Sequence, residues 1–348
     1  MKVLILRGTT REINNDSGWY FHLMLEERKI EHDMICHSAF VNTSLFICGI
    51  NRVFRHLTRG QSAQFINRFR QADQVVLEYV EDHEPDLIMA MSGKTIRPCL
   101  LQQIREISPR SILVNVFWDN PFFYDITFSA IPEYDVFFVK DTYVLQEMQK
   151  LGADNVAYLH HACYPGEHRP LGDITPAERA EYACDLAFVG SMYPYRARIL
   201  DVFRDMDLKI WGGKPWGSIP DDSVAYTKHQ HRRVWGRGKI AIFNLAKINL
   251  NTQHYQNDIF SVSSKVHQVA ASGGFQLVDY KPDLERLYEV GSEIIVFRSR
   301  DELRELAEYY LERPAERAEI AERSRRRALA QHTYAHRFDE ILTAVGPT

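Results

Sequence analysis

Leu186-Ala187-Phe188-Val189-Gly190-Ser191, with Arg196 five residues further on, is the stretch on which the fold turns. Four apolar residues closing on Gly-Ser before an amphipathic segment read as a buried strand turning into a helix. The alternation then continues downstream. Helix-like Arg196–Met206 leads to strand Leu208–Trp211, which ends in Gly212-Gly213, and further strands are expected at Ile248–Leu250, Phe275–Val278 and Ile294–Phe297. The tail reads as helices over Asp301–Leu311, Ala315–Gln331 and Ala335–Ala344.

Upstream, the polar stretch through Tyr164, Pro165, Gly166, Pro170, Gly172 and Pro176 has the composition of an exposed inter-domain connection. Before it the same rhythm is already present. Strands are expected at Val3–Leu6, Leu87–Met91, Ile112–Phe117, Val136–Val139 and Val156–Leu159. Between them lie helix-like Trp19–Arg28, Gln61–Val80, Ile96–Ile107 and Tyr143–Leu151, the last capped by Gly152. Strands alternating with helices predict α/β domains built on parallel sheets. At 348 residues the chain exceeds the roughly 250–300 at which one core stops growing, so two domains are expected. Two doubly wound halves facing one another would bind a ligand in a single cleft, beyond the carboxyl ends of their strands.

Composition narrows the function classes. A net charge of −4 gives no expectation of nucleic-acid binding, and no stretch approaches the ~20 apolar residues of a membrane span. The run containing Arg323, Arg325, Arg326 and Arg327 reads as a solvated helix face. Cys36, Cys48, Cys99, Cys163 and Cys184 are scattered and odd in number, which suits a reducing, cytoplasmic setting. His229 and His231 lack a complementary ligand set, so no metal site is expected. Adjacent His160 and His161 follow a strand, but neighbouring side chains point apart. Neither a G-x-G-x-x-G nor a P-loop pattern is present, against a dehydrogenase or a P-loop ATPase.

The candidate site residues gather in a few places. Gly190 and Ser191 at a strand end expose backbone N–H groups to an anion, and Arg196 adds a forked, charge-assisted contact. The plainer alternative is a tight turn with a surface arginine. Ser263 or Ser264 reads as the cap of a helix ending at Gly273-Gly274. Lys265 at its start suits a phosphate, and Gln268, one turn along, suits a ribose hydroxyl. A small-residue helix packed on the sheet explains the same letters. Asn251 at a strand end and Asp258 in the following loop are placed to meet sugar hydroxyls. In the first half Trp118-Asp119-Asn120-Pro121 follows a buried strand, and Asp119 is a candidate base, or part of an Asp/Asn turn.

With these residues in view, the second half resembles the CgeB-like branch of the group 1 glycosyltransferases. The matching segments are Asp185–Ser191 with Arg196, Ala246–Asn251, Gln268–Asp279, Gly291–Ile294, Asp301–Leu303 and His332–Arg337, with Gly152–Ala162 and His168–Pro170 upstream. The likeness is good over roughly residues 135–345 and loose before that. It implies the GT-B fold, two facing Rossmann-like domains, with residues 1–163 as acceptor domain, 164–182 as linker and 183–332 as donor domain. A C-terminal helix over 333–348 would cross back to the first domain. Carried over, Gly190, Ser191 and Arg196 form the diphosphate loop and Ser264–Gly273 the donor-binding helix. Relatives often carry Arg-x-Phe-Glu where this chain has Lys265-Val266-His267-Gln268. Lysine keeps the charge without the guanidinium fork, and Gln268 replaces a carboxylate.

The resemblance implies transfer of a sugar from a nucleoside-diphosphate sugar to a hydroxyl on a glycan, protein or small molecule. No metal or further cofactor is expected, since Arg196 and Lys265 would stabilise the leaving diphosphate. Asp119 would serve as base in an inverting reaction. A nucleotide-sugar epimerase on the same fold and a non-catalytic carbohydrate- or partner-binding protein are the alternatives.

Overall fold

Continuous apolar runs become central strands here because helices cover both faces of each sheet. The structure, a computed structural model, describes residues 1–8, 16–41, 69–213, 215 and 218–346. The chain divides into two compact units. One comprises Met1–Lys140, Val144–Leu159 and Phe338–Thr348, and the other Asp141–Tyr143 and His160–Arg337.

The first unit holds a parallel sheet of β1 (Lys2–Arg7), β2 (Glu31–Cys36), β3 (Leu87–Met91), β4 (Ile112–Phe117), β5 (Val136–Val139) and β6 (Val156–Tyr158), in the order β2-β1-β3-β4-β5-β6. Its switch point lies between β1 and β3. Val3, Leu4, Ile5 and Leu6 are fully buried, as their unbroken apolar run requires. β2 was not foreseen: Glu-His-Asp-Met-Ile-Cys pairs only with β1 at the sheet edge, where half-exposed polar residues are tolerated. The helix expected over Gln61–Val80 is seen as Arg70–His83; its residues before 69, like Cys48, lie outside the described residues.

The second unit repeats the plan with β7 (Cys184–Val189), β8 (Leu208–Trp211), β9 (Ala246–Asn251), β10 (Gln276–Asp279) and β11 (Ile295–Phe297), ordered β11-β10-β9-β7-β8 and parallel throughout. Leu186 pairs with Ile248 on one side and Leu208 on the other, so β7 is central and the switch point falls between β7 and β9. Phe188, Phe203, Ile210, Ile248, Leu277 and Leu303 share one buried cluster on this sheet.

Two elements differ from the sequence reading. The stretch expected as an open connection contains the helix Pro176–Tyr182, closed by a capping box in which Thr175 Oγ1 accepts from Glu178 N at 3.1 Å and Glu178 Oε2 from Thr175 N at 2.8 Å. The helix Gly236–Leu245 also went unforeseen; its first turn reads Gly-Arg-Gly, but Ile240, Ala241, Ile242 and Phe243 are all buried and hold it to the sheet. No helix among the described residues is long and apolar enough to cross a membrane.

Candidate active site

At the switch point of the second sheet, the turn after β7 is built to approach a ligand with bare backbone. Gly190 N donates to Trp211 O at 2.9 Å, tying this turn to the end of β8. A Cβ on Gly212 would lie 2.0 Å from the Gly190 carbonyl oxygen. The two strand ends touch only because residue 212 has no side chain.

Two cations converge on that turn. Arg196, in the helix Pro194–Leu200, donates from Nη1 to Ser191 O at 2.8 Å and lies over the rings of Phe188 and Tyr193, at 5.7 and 5.2 Å. Lys265 reaches from the start of the helix Ser264–Ala271, donating from Nζ to Val189 O at 2.9 Å and standing 4.5 Å from the Phe188 ring centre. A third cation, Lys239, donates to Gln268 Oε1 at 2.6 Å from the helix Gly236–Leu245. Among the described residues none of the three forms an ion pair. Asp258 and Asp279 attract Arg196 without bonding it.

The titration behaviour follows. Burial lowers the Arg196 pKa. Burial, then repulsion from Arg196 and Lys239, pushes Lys265 well below the ordinary lysine value. Burial brings Lys239 down to about 8. Three cations held close together, with Asp258, Asp279 and Glu167 near enough to attract but not to bond them, favour the entry of an anion.

The helix start adds to this. Ser263 is extended and its side chain makes no capping bond, while its own N–H donates to Gln253 Oε1 at 2.9 Å. No side chain therefore competes for the first-turn amides of a helix that begins beside Lys265. Next to the Ser191 turn lies a recess of about 950 Å³, lined by Gly212, Gly213, Tyr226, His229, His231 and Arg233 among others. A smaller recess of about 220 Å³ in the first unit is lined by Phe128, Ile131, Met148 and Leu151. It sits by the amino ends of β5 and β6, the wrong end of a parallel sheet for catalysis.

The structure thus brings together Gly190, Ser191, Arg196, Ser264, Lys265 and Gln268. Other expected contacts fall elsewhere. Asn251 is fully buried, and its Nδ2 donates to Gln276 Oε1 at 2.9 Å, so it braces β9 against β10. Asp258 is buried too, its Oδ2 accepting from His254 N at 2.8 Å, so it shapes its loop and acts on the site through charge. Gly273 and Gly274 lie at the far end of the helix. Gly273 takes a φ of +77° to end it, and a Cβ on Gly274 would lie 2.6 Å from Phe243 O. These two glycines serve helix termination and packing rather than the ligand.

Asp119 belongs to the first unit, just beyond β4. Its Oδ2 is bonded by Lys94 Nζ and more loosely by Tyr124 Oη at 3.4 Å, and Lys94 also donates to Tyr124 Oη at 3.1 Å. Asn120 shapes the turn at Pro121, its Oδ1 accepting from Phe122 N at 3.1 Å. Lys94 follows Ser92 and Gly93, both left-handed at φ +66° and +53°; a Cβ on Gly93 would meet Asn115 Nδ2 at 2.3 Å. Lys94 and Lys239 escaped the sequence reading. Ser-Gly-Lys at the end of β3 was a usable signal for the first, whereas Lys239 sat in a helix that was not recognised.

Several histidines bond or stack on one another. His229 Nδ1 accepts from His231 N at 3.0 Å, and His160, His267 and His332 form a buried ring cluster beside Arg337. Among the described residues no group of His, Cys, Asp and Glu is arranged to hold a metal ion.

A glycosyl transferase-like family model matches residues 196–343. The spore protein CgeB of Bacillus subtilis is 24% identical over 280 residues, covering 75% of this chain and 82% of that protein. Over these stretches the chain is similar to CgeB and to the glycosyl transferase-like family. Solved structures agree on its GT-B fold. Anabaena HepE, crystallised with UDP, is 13% identical with a TM-score of 0.60 and 98% of each chain covered. Sucrose-phosphate synthase from Thermosynechococcus elongatus is 9% identical with a TM-score of 0.63, covering 98% of this chain and 97% of that one. At such identities the likeness to solved structures speaks for the fold alone. The glycosyl transferase-like domain over residues 196–343 marks the chain as a glycosyltransferase.

Proposed function

We propose that the second unit holds a nucleoside-diphosphate sugar, its diphosphate over the Gly190-Ser191 turn between Arg196, Lys265 and the first-turn amides of the helix Ser264–Ala271. The convergence of Arg196 and Lys265, neither ion-paired among the described residues, on one bare-backbone turn carries this reading. The nucleoside enters the neighbouring recess, and Gln268 meets the ribose.

In the reaction the acceptor oxygen forms a bond to the anomeric carbon as the bond from that carbon to the phosphate oxygen breaks. The electron pair stays on the diphosphate, where Arg196, Lys265 and the helix start offset the growing charge without a bound metal. The first unit supplies the acceptor side. Asp119 takes the hydroxyl proton in an inverting reaction, with Lys94 holding its carboxylate in place.

The test is to incubate the protein with UDP-, GDP- and ADP-sugars, with and without glycan, protein and small-molecule acceptors, and to measure free nucleoside diphosphate. Acceptor-dependent release of one diphosphate is the expected result. An epimerised sugar without any acceptor would instead identify an epimerase, and binding without release a non-catalytic protein.

A further inference from the structure

We infer that Lys239 is a specificity-determining positioning residue: it locks the Gln268 amide so that Nε2, a pure donor, faces the ribose of the bound nucleotide. The inference rests on the donor-site reading above. Oxygen and nitrogen of an amide are distinguished by their partners, and here the partner is decisive. Lys239 Nζ, 2.6 Å from Gln268 Oε1, carries donors only. The flipped amide would set donor against donor. Lys239 is half-buried and, among the described residues, forms no ion pair and has no other hydrogen-bond acceptor, Glu167 attracting it only at a distance, so it is committed to this oxygen.

Gln268 itself is buried on the helix Ser264–Ala271, one turn beyond its start, and its Nε2 lies 3.5 Å from Ser264 Oγ. That contact is long and weak, which leaves the amide hydrogens for a stronger acceptor. A ribose hydroxyl oxygen in front of Nε2 would therefore be read as an acceptor, and a deoxyribose lacking it would leave a buried donor unsatisfied.

The experiment is calorimetric, with the best-binding member of UDP, GDP and ADP and its 2′-deoxy and 3′-deoxy forms as probes. One deoxy form should bind the wild type about tenfold more weakly than the parent. Lys239→Met and Gln268→Met should each reduce that preference to about twofold or less, and the double variant should add nothing, because the lysine acts through the glutamine. Lys239→Arg, which keeps a donor-only head group, should retain the preference. Equal binding of all three sugars by the wild type would overturn the inference, as would a Lys239→Met protein that keeps the preference or additive losses in the double variant. Failure of the wild type to bind any of the three diphosphates would refute the donor site itself, a distinct outcome.

Discussion

The carboxyl ends of the two sheets carry similar numbers of cations but treat them differently. In the first unit Arg7 is bonded by Asp16, Arg97 by Asp73 and Lys94 by Asp119. In the second, Arg196, Lys239 and Lys265 bond only backbone carbonyls or an amide oxygen. These three cations of the first end are each paired with a carboxylate. The second tolerates mutual repulsion and desolvation, which is a cost to folding unless a polyanion offsets it. On the proposed reading, the contrast separates a region that positions a carboxylate from one that binds phosphate, although the folds around them are nearly the same.

Substitutions at the two ends should break that symmetry in different observables. Asp119→Asn should lower kcat by about 100-fold or more, in the range of a lost general base, while donor affinity changes less than about threefold. Full turnover would remove Asp119 from the chemistry. Arg196→Ala should weaken nucleotide-sugar binding about 50-fold by calorimetry, as expected for lost charge-assisted bonds, and Lys265→Met about 20-fold. Lys94→Met, by contrast, should leave that affinity within about twofold, because its charge is already spent on Asp119.

pH sharpens the comparison further. Lys239 titrates at about 8 in the empty site. A diphosphate favours its charged form, so affinity should fall by up to about tenfold between about pH 7 and 9, and by much less in Lys239→Met. The stability of the empty protein responds in the opposite sense. Because the folded-state value lies below the ordinary 10.5, the unfolded chain binds the extra proton between the two values. The contribution of Lys239 to stability therefore rises as pH increases through that window. The smallest effect belongs to the glycines at the far end of the donor helix. Gly273→Asn, which tolerates the left-handed conformation, should leave affinity within about twofold and cost under about 1 kcal/mol.

The fold was legible because buried parallel strands are written as short, continuous apolar runs; β1, β3, β4, β7 and β8 could be read from their letters alone. β2 and the helix Gly236–Leu245 could not. β2 is half polar because only one neighbour covers it, and the helix Gly236–Leu245 opens on residues that disfavour helices. The helix Pro176–Tyr182 is a different case: Thr175-Pro176-x-Glu178 is a capping signal, hidden by the surrounding polar composition. Within the candidate site, Gly190, Ser191, Arg196 and Lys265 could be nominated from the sequence because strand ends and helix starts suit anions. Asn251 and Gly274 share those positions or motifs, and only packing shows that they face inward. The partnership of Lys239 with Gln268 spans 29 residues and two helices, beyond what local spacing encodes.

The central claim is that uncompensated positive charge in the second unit exists to receive a diphosphate. The most direct measurement compares, in the same buffer, the dissociation constants of UDP, GDP and ADP with those of the corresponding nucleosides. The account predicts that the preferred diphosphate binds at least about 100-fold more tightly than its nucleoside, and that Arg196→Ala with Lys265→Met removes most of the difference. Nucleoside and diphosphate binding alike would contradict it.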